Sequence, residues 1–339
     1  MKVLCLQLLV LSLASFFLTW AMRRYALTRS LLDVPNTRSS HSVATPRGGG
    51  IAIVLTFLGA IVWLEFFDQI NLSLAIALLG AGGLVALVGF LDDHGHIAAR
   101  WRLLSHFAAA IWGLYWLEGL PPVTLLGSVL DLGWFGHFLA VVYLVWLLNL
   151  YNFMDGIDGI ASVEALCVCL GGALIYFLTR SVVGGEVLLL ALAASVVGFL
   201  LWNFPPARIF MGDAGSGFLG FALGVMSLQA ATVDPALLWS WLVLLGVFVV
   251  DASFTLLRRL LRGERVYEAH RSHAYQFASR HFGRHLPVTL AVAAINLFWL
   301  LPLALLIGLG WLDGVAGLIV AYAPLVTLAV RFRAGALES

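Results

Sequence analysis

Charge is what this sequence has least of. Asp, Glu, Lys and Arg make up 11% of the 339 residues, and Lys2 is the single lysine. Soluble domains carry about 25% charged and roughly 45–50% apolar residues; here the hydrophobic share is 62%. So few charges could not cover a soluble core, which excludes a pair of soluble domains, a coiled coil, a collagen-like chain and a disordered tail. The net charge of +1 leaves no global field for a polyanion, so no nucleic-acid partner is expected. Cysteine is scarce as well. Cys5, Cys167 and Cys169 all lie in apolar runs, so there is no disulfide framework, and the Cys-x-Cys reads as small membrane-core residues rather than a metal site.

Long apolar runs are abundant. A spanning helix needs about 20 mostly apolar residues. Eleven runs meet that template, near 3–22, 49–67, 72–91, 101–117, 134–151, 160–178, 182–202, 214–231, 236–257, 287–307 and 311–330. The expected fold is an all-α polytopic integral membrane protein of about 11 transmembrane helices. The first run is too long for a signal-peptide core and no small-residue cleavage site precedes Arg23-Arg24, so it reads as an uncleaved span. If the runs alternate, seventeen arginines collect on one side and only Lys2 and Arg180 on the other. The positive-inside rule then puts the N-terminus outside and the C-terminus in the cytoplasm. The longest external loop, about 118–133 with Pro121-Pro122, reads as a turn-rich connector.

The remaining polar residues cluster in the cytoplasmic loops. Loop 1–2 carries Asp33, Arg38, His41 and Arg47-Gly48-Gly49-Gly50; bare glycine N–H groups at a helix start, flanked by arginines, suit phosphate. A positive-inside loop with a glycine turn would look the same. Asp92-Asp93 ends the third run, where carboxylates oppose the helix dipole and need a cation, either a metal or Arg100 and Arg102. Asn149, Asn152, Asp155-Gly156 and Asp158-Gly159 join runs five and six. On a helix the two aspartates share a face, and the set exceeds what an N-cap needs. Asn203, Arg208, Phe210 and Gly212-Asp213-x-Gly215-Ser216 join runs seven and eight, where Asp213 is a site residue or a cap. His270-Arg271-Ser-His273, with His281, Arg284 and His285 nearby, suits phosphate better than zinc, since thiolates and HExxH are absent. Glu164, His106 and Asp251 lie near cytoplasmic run ends, where snorkelling or local pairing accounts for them.

In this order the clusters resemble the polyprenyl-phosphate N-acetylhexosamine-1-phosphate transferase family, glycosyltransferase family 4. The carrying motifs are Asp33-x-Pro35…Arg38…His41…Pro46…Gly48-Gly49, Asp92-Asp93, Asn149…Asn152…Asp155-Gly-x-Asp158-Gly and Gly212-Asp213-x-Gly215-Ser216. The arginine-rich first loop and the HRSHAYQ segment are most similar to the O-antigen-initiating branch. Two departures stand out: Arg102 occupies the place of a frequent family lysine, and the family's tight histidine cluster is here split into His270 and His273.

The resemblance implies a single catalytic domain over 1–339 in the bacterial inner membrane, with active-site loops near 23–48, 92–100, 152–159, 203–213 and 258–286. It implies transfer of an N-acetylhexosamine-1-phosphate from a UDP-sugar (UDP-GlcNAc or a 6-deoxy relative such as FucNAc or QuiNAc) to undecaprenyl phosphate, with UMP released and a lipopolysaccharide O-antigen begun. Mg²⁺, or Mn²⁺, would neutralise the phosphates. Asp213 and Asp93 are the implied metal ligands; Asp92, Asp93, Asp155, Asp158 and Asp213 the implied catalytic set. Arg38, His41, Arg47, Gly48, Gly49, Arg102, Asn149, Asn152, Phe210, His270, Arg271 and His273 would bind substrate, Phe210 by stacking on uracil. The polyprenyl chain would lie in a groove between spans, and a homodimer comes into consideration. The rival readings are a transporter or flippase for polyprenyl-linked lipid, which should carry midplane charge and inverted repeats, and a CDP-alcohol phosphatidyltransferase, whose further aspartates are missing.

Overall fold

The computed structural model describes residues 2–35, 40–41, 43–95, 97–180, 184–264 and 270–337. Each predicted run falls on a helix: α1 (Lys2–Thr28), α2 (Ile51–Phe66), α3 (Leu72–His94), α4 (Ala99–Trp116), α5 (Gly133–Met154), α6 (Ile160–Thr179), α7 (Gly185–Asn203), α8 (Asp213–Val233), the pair α9 (Pro235–Leu244) and α10 (Gly246–Leu261), α12 (Leu286–Gly308) and α13 (Gly314–Arg331). The extra helix α11 (Ala274–Phe282) lies in the loop before α12. Among the described residues, eight helices are long and apolar enough to cross a membrane, or nine if the bent pair α9–α10 is one span. That is fewer than the expected eleven, for two physical reasons. The 16 residues of α2 rise about 24 Å, short of a ~30 Å hydrocarbon core. α4 carries Arg100, Arg102 and His106 in its first half.

The most buried helix is α8, with 83% of its apolar window inside the protein, against 11% for α1. Without a hydrophobic force between helices in lipid, small residues and interhelical hydrogen bonds hold such packing. Gly50 and Gly215 meet backbone to backbone: a Cβ on Gly50 would stand 2.5 Å from the Gly215 Cα. α1 is bolted to α7 by Ser12, donating to the Ala194 carbonyl at 2.9 Å, and Ser15, donating to that of Ser195 at 2.6 Å.

Two details depart from the sequence reading. The 118–133 connector contains a hairpin, β3 (Val123–Leu125) paired antiparallel with β4 (Ser128–Leu130), turning at positive-φ Leu126 and Gly127. A second pair, β1 (Leu32–Asp33) with β2 (Thr45–Pro46), closes the first loop. The single run 236–257 is broken: α9 and α10 meet at 73°, with Leu245 between them.

Candidate active site

The carboxylates that end α3 are compensated in different ways. Asp92 accepts from the Ile97 N–H at 2.7 Å and from Arg102 Nη1 at 2.5 Å. The same nitrogen donates to Asp213 Oδ2 at 3.2 Å, so Arg102 bridges two helix ends. Asp93 turns the other way. Its oxygens accept from the N–H groups of Asp213 at 3.3 Å and Ala214 at 3.4 Å, capping α8 from a neighbouring helix. Gly212 makes this approach feasible: its φ is +78°, and a Cβ there would lie 2.5 Å from Asp93 Oδ2.

Asp155 and Asp158 do not share a helix face, as the sequence suggested. Residues 155–159 form a non-helical link between α5 and α6. Neither aspartate caps α6; Gly159 takes the cap position, with φ +75°, and donates its N–H to Asn203 Oδ1 at 3.0 Å. Asp158 works as a clasp. It accepts from the Ala207 N–H at 3.0 Å and pairs with His285 Nδ1 at 3.0 Å, while His285 Nε2 lies 3.0 Å from the Ser40 carbonyl. Burial opposes the imidazolium, but the Asp158 hydrogen bond and charge outweigh it and raise the His285 pKa. The Asp155 carboxylate lines the cleft with no hydrogen-bond partner among the described residues. Burial, with the charges of Asp213, Asp93 and Asp158, pushes its carboxyl well above the usual range.

The first loop reaches the cleft by a backbone ladder. Gly49 and Gly50 donate to the carbonyls of Phe210 (2.9 Å) and Met211 (2.8 Å), and the Phe210 N–H donates to the Pro46 carbonyl at 2.8 Å. The glycine N–H groups at 49 and 50 are therefore spent on the protein, which corrects the expectation of a bare phosphate cradle there. Gly48 stands beside Asp93 at φ +88°. Arg47 is the better anion contact: it donates to the Asp93 carbonyl at 2.7 Å, and its buried Nε has no partner among the described residues. The His41 ring packs edge-on against Phe210, 4.9 Å between centroids. Arg38 lies outside the described residues.

These groups enclose a polar cleft of about 380 Å³. Its walls include His41, Arg47, Asp93, Asn152, Asp155, Asp158, Phe210, Asp213 and His270, all named as site residues from sequence, together with Gln276 and His285, which lie in or near the histidine segment but were given no place in the site. Other expected site residues lie elsewhere. Asp92 is held by Arg102 and Ile97 outside the cleft, Arg271 lines a separate small pocket, and His273 is buried. The ring of His273 stacks on His270 at 4.9 Å. Burial, then the neighbouring His273 and Arg259, pull the His270 pKa down to about 3, so His270 is a neutral hydrogen-bonding ring rather than a phosphate-binding cation. Arg102 and Asn149 line a second cavity of about 130 Å³, walled by Val85, Val88, Leu103, Leu148 and Phe153. It shares Asn152 and Asp213 with the cleft and also takes in His106, so a polar chamber and a smaller cavity of mixed, mainly apolar lining meet at those two side chains. Asn149 Nδ2 donates to the Val145 carbonyl at 2.7 Å and lies 3.3 Å from His106 Nδ1.

The donor set suits a hard cation. Crowded carboxylates with one member uncompensated are a place short of positive charge. Among the described residues, no three His, Cys, Asp or Glu side chains enclose a metal by themselves. Mg²⁺ does not require that, because it usually keeps water and substrate phosphates beside one or two carboxylates.

Residues 74–231 match the family model for Glycosyl transferase family 4. The chain is 30% identical over 273 residues to a probable undecaprenyl-phosphate N-acetylglucosaminyl 1-phosphate transferase of Bacillus subtilis (strain 168), covering 78% of this chain and 74% of that one. It is 28% identical to the undecaprenyl-phosphate alpha-N-acetylglucosaminyl 1-phosphate transferase of Thermotoga maritima, covering 86% and 88%. With a phospho-N-acetylmuramoyl-pentapeptide-transferase of Gluconacetobacter diazotrophicus it shares 29% identity over 57% of this chain and 61% of that one.

Proposed function

This chain belongs to glycosyl transferase family 4, the polyprenyl-phosphate N-acetylhexosamine-1-phosphate transferases, and from that premise we propose that it moves an N-acetylhexosamine-1-phosphate from a UDP-sugar to undecaprenyl phosphate. The observation that carries the reading is the meeting of two cavities at Asn152 and Asp213, one polar and one mainly apolar. A water-soluble donor enters the polar cleft; a lipid phosphate arrives along the apolar groove beside Arg102. A lipid phosphate oxygen attacks the sugar-bearing phosphorus, a new P–O–P link forms, and the bond to UMP breaks. Both reactants are anions, so positioning and charge compensation make up most of the catalysis.

The residues divide that work. Arg47 offers its unpartnered Nε to the donor diphosphate. Arg102 can exchange one carboxylate for the lipid phosphate, which gives Asp92 the role of orienting Arg102 rather than that of a base. Phe210, braced by His41, presents a ring to the uracil. Asp213 and Asp155 would hold Mg²⁺, with Asp93 fixing the end of α8 beneath them. When bound, the metal neutralises charge on the diphosphate and on the departing UMP. The sugar we favour is GlcNAc or a 6-deoxy-HexNAc, and the pathway the start of an O-antigen at the cytoplasmic face of the inner membrane.

Purified protein given Mg²⁺, undecaprenyl phosphate and a panel of UDP-HexNAc donors should release UMP with at least one of them. Asp213→Asn should lower that rate at least ~100-fold, in line with the loss of a charge-stabilising group. Absence of UMP with every donor, or full activity in the variant, would refute the assignment.

A further inference from the structure

Asp251 lies on α10, beyond the helix break, and lines neither the polar cleft nor the groove beside Arg102. It is nonetheless buried and heavily used. Its Oδ1 accepts from the Ala274 N–H at 2.9 Å and from Thr255 Oγ1 at 3.2 Å; its Oδ2 accepts from the Tyr275 N–H at 3.0 Å. His273 Nδ1 stands 3.4 Å from Oδ1 without an aligned hydrogen bond, and has no hydrogen-bond partner among the described residues. A carboxylate on one helix thus caps the first turn of another, where free N–H groups favour negative charge. The capped helix, α11, carries the contact onward. Tyr275 donates its hydroxyl to the Phe153 carbonyl at 3.0 Å, two residues before Asp155. Its ring passes so close to Gly156 that any Cβ there would collide with the hydroxyl. On the other side, His273 stacks on both Tyr275 and His270, and His270 lines the cleft.

We propose that Asp251 and Tyr275 form a strut that fixes the histidine segment and the Asp155 loop at one separation across the cleft. Both are positioning residues for the sugar-phosphate transfer, a role that rests on the function proposed above. The strut also accounts for Gly156 by packing: a side chain at that position would push Tyr275 off the loop it braces. Neither residue touches a reacting atom.

The test uses the full-length chain purified in detergent. Asp251→Asn keeps the size but turns one acceptor oxygen into a donor facing an N–H, and Tyr275→Phe removes only the hydroxyl. With the wild type active, Asp251→Asn should raise the KM for the UDP-sugar at least tenfold with the KM for undecaprenyl phosphate unchanged. Tyr275→Phe should do the same to a smaller extent, and the double variant should be no worse than Asp251→Asn alone. Loss of rate with both KM values unchanged, as a smaller folded fraction would produce, overturns the strut, as do effects that multiply in the double variant. Trypsin cleavage at the Arg271–Ser272 bond gives a readout independent of the reaction. Faster cleavage in Asp251→Asn than in wild type supports the strut even if no donor yields UMP, and equal cleavage overturns it.

Discussion

Single residues here divide into those whose charge is compensated and those left open, and the difference predicts behaviour. Asp155 is crowded by three other aspartates and has no partner among the described residues. Asp155→Asn should therefore raise the metal-free thermal stability, by about 1 kcal/mol, while lowering UMP release at least ~100-fold. Thermal scans and the UMP assay on one preparation would check both signs. His285 predicts a pH effect. Its pKa is raised from the ordinary 6.5, so its pair with Asp158 adds stability in full below that value. The contribution fades as pH rises through the raised folded value. Replacing His285 with Gln should cost roughly 1–2 kcal/mol at pH 6 and progressively less at higher pH, as measured by thermal midpoints across that range. The types of these residues were readable from sequence, and Asp155, singled out by its Asp-Gly motif, lines the cleft. What could not be read was direction. Asp92 and Asp93 are adjacent, yet one meets Arg102 and the other the start of α8, because successive positions on a helix point about 100° apart. Gln276 ends the HRSHAYQ segment and His285 follows it, but their arrival at the cleft depends on the packing of α11 and α12, which the sequence did not show.

At the scale of elements, the site is built from helix ends. α3, α5 and α8 each begin or end at an aspartate in or beside the cleft, and their closeness depends on glycine. Gly212→Ala should combine a left-handed backbone with a contact against Asp93, destabilising the protein by about 1–3 kcal/mol and uncoupling Asp93 from α8. Gly59→Ala in α2, where a Cβ meets nothing within 4 Å, is the matched control. It should be neutral or stabilising by about 0.5–1 kcal/mol. Chemical denaturation with a UMP assay on both variants would separate them. Apolar runs marked every span region because composition alone decides where a helix can face lipid. The break at Leu245 was invisible because the sequence there, Leu244-Leu-Gly-Val, is uniformly apolar, with no proline to mark a kink. α11 was hidden for the opposite reason: it is short, amphipathic and lodged among charged residues, so it read only as loop.

For the whole molecule, the placement of the chemistry depends on topology. The polar cleft and the apolar groove open where α3, α5 and α8 present their acidic ends, and seventeen of the nineteen basic residues belong to loops assigned to that same side. That sorting takes α2 and α4 as crossings: leaving both out would move the α3–α4 loop, with Asp92, Asp93, Arg100 and Arg102, to the side opposite Arg47 and Asp213, which it contacts. The arginine bias predicts a cytoplasmic face for the cleft, because a membrane potential and anionic lipid favour arginine-rich loops on that side. On the proposed function, the groove would serve a lipid whose phosphate lies at the cytoplasmic surface, and the UDP-sugar would come from the cytosol. In a background with Cys5, Cys167 and Cys169 replaced, a cysteine at exposed Arg284 should be shielded from an impermeant thiol reagent in intact cells and labelled after permeabilisation. A cysteine at exposed Glu118 should label in intact cells. The reverse pattern would place the cleft on the outer face, where no cytosolic nucleotide sugar reaches it, and would leave the proposed transfer without a donor.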